Sequence, residues 1–215
     1  MHEEIRIIKS FARRSTLKES DKELLDKYVV NNSEEWIEKT IFQKRVWLDI
    51  GFGSGKNTAF QAVGNQDVII IGCEPYLKGV SSLLKKIEQN NIKNILIWPD
   101  DVKKIIVNIA DCILEKIFIL FPDPWQKRAH NKRRLINAEF LKLLAKKMIS
   151  KGEVIISTDY PEYAKWMQKE IEKSSAFTYT KINENEVENY AKTKYHKKAI
   201  KEQVIFFKLV YDCQI

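Results

Sequence analysis

From Arg45 onward the chain repeats one pattern: a short, almost wholly apolar run, a turn, and then an amphipathic segment. The apolar runs are Val46–Ile50, Val68–Cys73, Asn94–Trp98, Lys116–Phe121 and Glu153–Thr158. Strands that are apolar on both faces need cover on both faces, which is the condition of a parallel sheet held between two helix layers. Helices are predicted over Lys56–Val63, Leu77–Gln89, Val102–Ile109, Leu135–Ile149 and Glu162–Ser174. In the second of these Leu77, Val80, Leu83, Leu84 and Ile87 recur at helical spacing. Phe177–Ile182 and Gln203–Tyr211 suit a closing antiparallel pair. The pattern predicts an α/β, Rossmann-like fold: a mostly parallel seven-stranded sheet with helices on both faces and an antiparallel last strand.

Residues 1–44 precede this repeat as an N-terminal basic and helical extension, leaving 45–215 as the domain proper. In the extension, Arg6, Lys9, Arg13 and Arg14 surround Phe11. Ser20-Asp21-Lys22-Glu23 has the form of a capping box, Ser20 capping and Glu23 reaching back, and predicts a helix through about Tyr28. A second helix is expected over Ser33–Thr40. No apolar run reaches the ~18 residues of a membrane span, and Met1-His2-Glu3-Glu4 does not open a secretory signal, so a cytoplasmic protein is expected. Cys73, Cys112 and Cys213 lack Cys-x-x-Cys spacing, which argues against a disulfide or a metal site. A net charge of +8 favours a polyanionic partner, subject to where the charges sit. Nothing separates a monomer from a homodimer.

Asp49-Ile50-Gly51-Phe52-Gly53-Ser54-Gly55 follows the first strand. Three of the seven glycines, Gly51, Gly53 and Gly55, fall in this loop, where the backbone must turn tightly and approach a ligand. Glu74 ends the second strand and can accept both hydroxyls of a ribose. A dinucleotide loop usually reads Gly-x-Gly-x-x-Gly and takes up pyrophosphate; this one reads Gly-x-Gly-x-Gly behind a carboxylate. Asp49, Glu74 and Asp101 at three successive strand ends suit a cationic methyl donor, S-adenosylmethionine, better than a dinucleotide. Asp100-Asp101 adds an acceptor for an adenine amino group.

Phe121-Pro122-Asp123-Pro124-Trp125 ends the fourth strand. Prolines on both sides of Asp123 restrict the backbone and aim its carboxylate, and Trp125 offers a face on which a base can stack. Directly after it, residues 126–134 carry five positive charges, Lys127, Arg128, Lys132, Arg133 and Arg134. A basic run attached to a catalytic loop is read as a phosphate clamp rather than a solvated face. Asp159 and Tyr160 end the fifth strand, and Thr193-Lys194-Tyr195-His196 lies in a Lys-rich segment before the last one.

With these motifs in place, the chain resembles the bacterial single-subunit tRNA (guanine-N7-)-methyltransferase family, a class I methyltransferase fold. The resemblance rests on the glycine loop, Gly72-Cys73-Glu74, Phe-Pro-Asp-Pro-Trp-Gln-Lys with His-Asn-Lys-Arg-Arg following, Ser157-Thr158-Asp159 and Thr193-Lys194-Tyr195. The Pro-Asp-Pro-Trp string is the specific one; the glycine loop marks only the superfamily. The resemblance implies that Asp49, Glu74 and Asp101 contact S-adenosylmethionine, that Asp123 is catalytic, and that Lys127, Asp159 and Thr193–His196 bind tRNA. Two departures stand out: Asp49 where the family has Glu, and His196 where it has Glu. The alternatives are a non-catalytic tRNA-binding homologue and a methyltransferase for another substrate.

Overall fold

The computed structural model describes residues 18–29, 45–183, 186–187, 191 and 204–212. The second extension helix, the Lys9–Arg14 stretch and Thr193–His196 lie outside these residues.

The strands are β1 (Arg45–Ile50), β2 (Val68–Cys73), β3 (Ile95–Trp98), β4 (Leu114–Leu120), β5 (Met148–Thr158), β6 (Phe177–Ile182) and β7 (Ile205–Tyr211). They form one sheet in the order β3-β2-β1-β4-β5-β7-β6. All pairings from β3 to β5 are parallel, and β7 runs antiparallel to both β5 and β6. The strand order reverses between β1 and β4, so the gap beyond their carboxyl ends is where a ligand fits in such a sheet.

Helices α1 (Glu19–Tyr28), α2 (Lys56–Gly64) and α3 (Leu77–Gln89) cover one face, and α4 (Val102–Ile105), α5 (Ala138–Lys147) and α6 (Pro161–Ser174) the other. Each strand serves both layers through its alternating side chains. Along β1, Val46, Leu48 and Ile50 enter the α4–α6 layer while Trp47 enters the α1–α3 layer. The same alternation turns Asp49 toward α2.

Helix α1 begins at Glu19 with Lys18 as its N-cap and no side-chain cap. Ser20 lies inside the helix, so the expected capping box is not formed. Docking on α3 sets this boundary: Asp21 accepts from Ser81 Oγ at 2.6 Å, and Tyr28 Oη donates to Glu88 at 3.0 Å. Val29 then bridges to Ile97 beside β3, which builds this part of the extension into the body. The helix expected over Val102–Ile109 is α4 followed by a 3-10 turn, Ile106–Asn108; the β-branched run Ile105-Ile106-Val107 disfavours a longer α-helix. Helix α5 starts later than its apolar pattern suggests because Asn137 caps it, accepting from Phe140 N at 3.0 Å. Strand β5 starts earlier, at Met148, with a register shift against β4.

Buried Asn94 pins the α2–β2 connection, its Nδ2 donating to the carbonyls of Ala62, Asn65 and Val68 at 3.1, 2.9 and 2.8 Å. Asn94→Ala strips donors from buried carbonyls and should cost about 2 kcal/mol of unfolding free energy. Urea denaturation measures it; a loss below about 0.5 kcal/mol would show that the carbonyls find other partners.

Candidate functional site

A cleft of about 1100 Å³ opens at the carboxyl ends of β1, β2, β4 and β5. Its wall includes Gly51, Gly53, Glu74, Asp101, Asp123, Trp125, Arg133, Asp159 and Tyr160, all singled out in the sequence, whereas Asp49, Gly55, Lys127, Arg128 and Arg134 are not part of it. Among the described residues, four carboxylates and only two cations, Lys78 and Arg133, line it. In a chain of net charge +8 that is a local reversal of sign.

The cofactor end is built by loop closure. Gly51, Gly53 and Gly55 all have left-handed φ, at 71°, 58° and 67°. The Glu74 carboxylate spans the turn, accepting from Gly53 N at 2.7 Å and from Tyr76 N at 2.8 Å. Gly79, which the sequence reading missed, matters as much: a Cβ there would stand 2.2 Å from the Gly53 carbonyl oxygen. A glycine inside the first turn of α3 was the available signal of close backbone approach. Asp101 lines the cleft and caps α4, accepting from Lys103 N at 3.0 Å.

Asp49 is placed differently from the expectation. It is 1% exposed and does not line the cleft, lying instead beneath the glycine loop. Thr58 Oγ1 donates to it at 2.8 Å and Asn57 Nδ2 at 3.5 Å, both from α2. Burial pushes its carboxyl up to about 6, partly offset by those two donors, while the negative charge of Glu74 adds to the rise. Gly55 is likewise set back from the cleft, packed against Leu83. Cys73 does line the cleft, and its thiol is held well above its ordinary value by burial and by Asp49, Asp101 and Glu74.

At the opposite end, the Pro122-Asp123-Pro124 segment sits between two left-handed residues, Phe121 at φ 53° and Trp125 at φ 41°. Each costs roughly 1–2 kcal/mol for a side chain with a Cβ, so the surroundings must hold them. The Asp123 carboxylate is open to the cleft, yet enough protein surrounds it to raise its pKa from its ordinary value through partial desolvation. Trp125 is not a bare platform: the Arg133 guanidinium lies 5.0 Å from its ring centre and the His130 ring meets it edge-on.

The basic run forms a 3-10 turn, Arg128–Arg133, on which Lys127, Arg128 and Lys132 are exposed beside the cleft mouth. Arg134 departs from the expected phosphate clamp. It is 4% exposed, its Nε donates to the Pro124 carbonyl at 2.9 Å, and its guanidinium lies over the rings of Tyr163 and Trp166. A side chain so enclosed cannot reach a phosphate. Among the described residues no group of His, Cys, Asp and Glu is placed to hold a metal ion, and no helix is long and apolar enough to cross a membrane.

Because folding raises the Asp49 pKa from 3.8 to about 6, the folded state holds this proton more tightly than the unfolded chain. The group therefore lowers stability as pH rises from about 4 to about 6 and adds no pH dependence above that, a change on the order of 3 kcal/mol. Asp49→Asn keeps an acceptor for Thr58 and should be more stable than the parent at pH 7 while gaining little at pH 4. Equal differences at the two pH values in thermal melts would mean that the carboxyl is not so buried.

Residues 43–209 match the model of a family described as putative methyltransferases. The chain is 52% identical over 205 residues to a tRNA (guanine-N(7)-)-methyltransferase of Wolbachia pipientis wMel, covering 94% of this chain and 91% of that one. It is 45% identical over 118 residues to an enzyme of the same name from Hyphomonas neptunium, an alignment spanning 55% of this chain and about half of that one, 54%. Among solved structures, an antibiotic-related methyltransferase superposes with a TM-score of 0.62 at 20% identity over 86% of this chain and 96% of its own, a likeness of fold. A sheet of this order, the acid-lined cleft at its strand tips and a relative this similar along nearly its whole length agree: the chain belongs to the tRNA (guanine-N(7)-)-methyltransferase family.

Proposed function

We propose that this chain transfers the methyl group of S-adenosylmethionine to N7 of a guanosine in tRNA, the variable loop being the expected location. The observation that carries the reading is the juxtaposition of a carboxylate-lined cleft with an exposed basic turn on its rim. Carboxylates favour a cationic donor inside, and the basic turn favours a polyanion outside.

The cofactor end fits this donor. Glu74 uses one lone pair of each oxygen on the loop, which leaves others for ribose hydroxyls. Gly79 lets α3 pass close to the Gly53 carbonyl and so holds the shape of the cradle, and Asp101 offers an acceptor near the adenine position. Asp49, set behind the loop, contributes negative charge rather than contact. The donor supplies an electrophilic methyl group, and the remaining work falls to the chain's own residues.

Guanine N7 carries a free lone pair at neutral pH, so no general base is required. Catalysis reduces to placing N7 in line with the methyl group and to stabilising positive charge as it moves onto the base. Asp123, partly desolvated, suits both tasks, since a carboxylate in low dielectric acts more strongly on developing charge. Asp159 is assigned to the Watson–Crick edge of the base, and Trp125 or Tyr160 to stacking. Lys127, Arg128, Lys132 and Arg133 are assigned to phosphates, a set from which Arg134 is removed. Thr193, Lys194, Tyr195 and His196 remain proposed substrate contacts on the family resemblance alone.

The direct test supplies the protein with labelled methyl donor and a tRNA transcript and then cleaves chemically at 7-methylguanosine. Label should map to the variable-loop guanosine and disappear when that position is adenosine; label retained on the adenosine transcript refutes the site, and tRNA binding without any transfer marks a non-catalytic homologue. Asp123→Asn keeps the loop's shape and removes its charge, so the transfer rate should fall about 100-fold or more. Its tRNA affinity, read by filter binding, should stay within about 2-fold. Parallel losses in rate and affinity would reduce Asp123 to a scaffold residue.

A further inference from the structure

We infer that Arg134, which touches neither donor nor base, is a positioning residue that locks the Pro122-Asp123-Pro124 loop in the geometry used for transfer. The inference rests on the function proposed above and adds a residue to its machinery. A cation removed from water is costly unless its position returns something specific. Here its polar partner is a main-chain carbonyl, that of Pro124, rather than a carboxylate.

The choice of that carbonyl is informative. Proline rings already fix φ at residues 122 and 124. The torsion left free between Asp123 and the strained Trp125 is ψ of Pro124, and the direction of the Pro124 carbonyl is its readout. The Arg134 bond therefore sets the one soft angle next to the left-handed residue that closes the loop. Without it, nothing in the proline ring keeps Trp125 at positive φ.

The other side of Arg134 is anchored just as specifically. Its guanidinium stands 5.0 and 5.2 Å from the ring centres of Tyr163 and Trp166, both on α6. Those same two side chains hold the main chain of Ile136: the Tyr163 hydroxyl accepts from its N–H at 3.3 Å, and Trp166 Nε1 donates to its carbonyl at 2.8 Å. Helix α6 begins at Pro161, two residues after Asp159. One buried cation thus ties the loop carrying Asp123 to the helix that directly follows Asp159, fixing the two carboxylates relative to each other.

The test is a cycle of variants in the full-length protein. Arg134→Met should lower kcat for methyl transfer by about 10-fold or more, with KM for tRNA and donor affinity within about 2-fold. In an Asp123→Asn background the same change should cost less than about 2-fold, because the residue acts through a charge already removed. Arg134→Lys keeps a donor without the planar fork and should recover part of the rate. Should Arg134→Met fail to fold, Arg134→Lys alone carries the comparison in both backgrounds. Arg133→Met provides the contrast, with weaker tRNA binding and a shallower salt dependence. Equal losses in both Asp123 backgrounds, an unchanged kcat, or a shallower salt slope for the Arg134 variants would each overturn the inference. A parent enzyme inactive on tRNA would overturn the proposed function and this inference together, whereas an active parent with an indifferent Arg134 overturns only the second.

Discussion

The cofactor end of the cleft depends on one contact, the Glu74 carboxylate closing on the Gly53 amide. That bond joins the tips of β1 and β2, folds the glycine loop back over the sheet and lets α3 pass so near that only hydrogen fits at Gly79. Each element presupposes the others. Glu74 can reach the loop because β1 and β2 are paired in parallel register, with Asp49 beside Gly72. The loop can accept it because three left-handed residues carry no side chain to strain. A longer residue at position 79 would push the Gly53 carbonyl away and open the turn, although it would touch no ligand.

Charge is sorted by depth. The interior of the cleft is acidic while the chain as a whole carries +8, so the field reverses over a short distance at the rim. A polyanion is drawn to the outer surface and repelled from the inner one, and a small cation experiences the opposite. Under the proposed function, sorting of this kind would keep a phosphate chain on the basic turn and leave only a base to enter.

The fold was legible in the sequence because its signals were the strong ones. Continuous apolar strands separated by amphipathic helices admit few architectures, whereas the order of the strands became visible only in the structure. What misled were features decided by tertiary contact. Ser20 had the spacing of a cap, yet the docking of Asp21 and Tyr28 on α3 moved the helix start past it. Asp49 looked like a cleft residue because its position along the strand was right, but alternation aimed it at α2. Arg134 looked like its neighbours because charge runs are read by composition, whereas burial depends on which way a short turn faces. Gly79 left only the faint trace of a glycine within a helix. Of the reaction end, Asp123, Asp159 and Trp125 were found at the cleft, while the Thr193–His196 segment lies outside the described residues.

Cys73 has a consequence of its own. A thiolate is among the best nucleophiles a protein can offer, and Cys73, although 1% exposed, belongs to the wall of the same cleft as Glu74 and Asp101. Burial and the surrounding negative field keep its proton in place. With a sulfonium methyl donor seated in that chamber, an ionised Cys73 would compete with the nucleic-acid base and capture the methyl group as a thioether, ending turnover. Burial first, and the neighbouring carboxylates second, thus keep this thiol protonated, so the donor proposed above would face no thiolate at this wall.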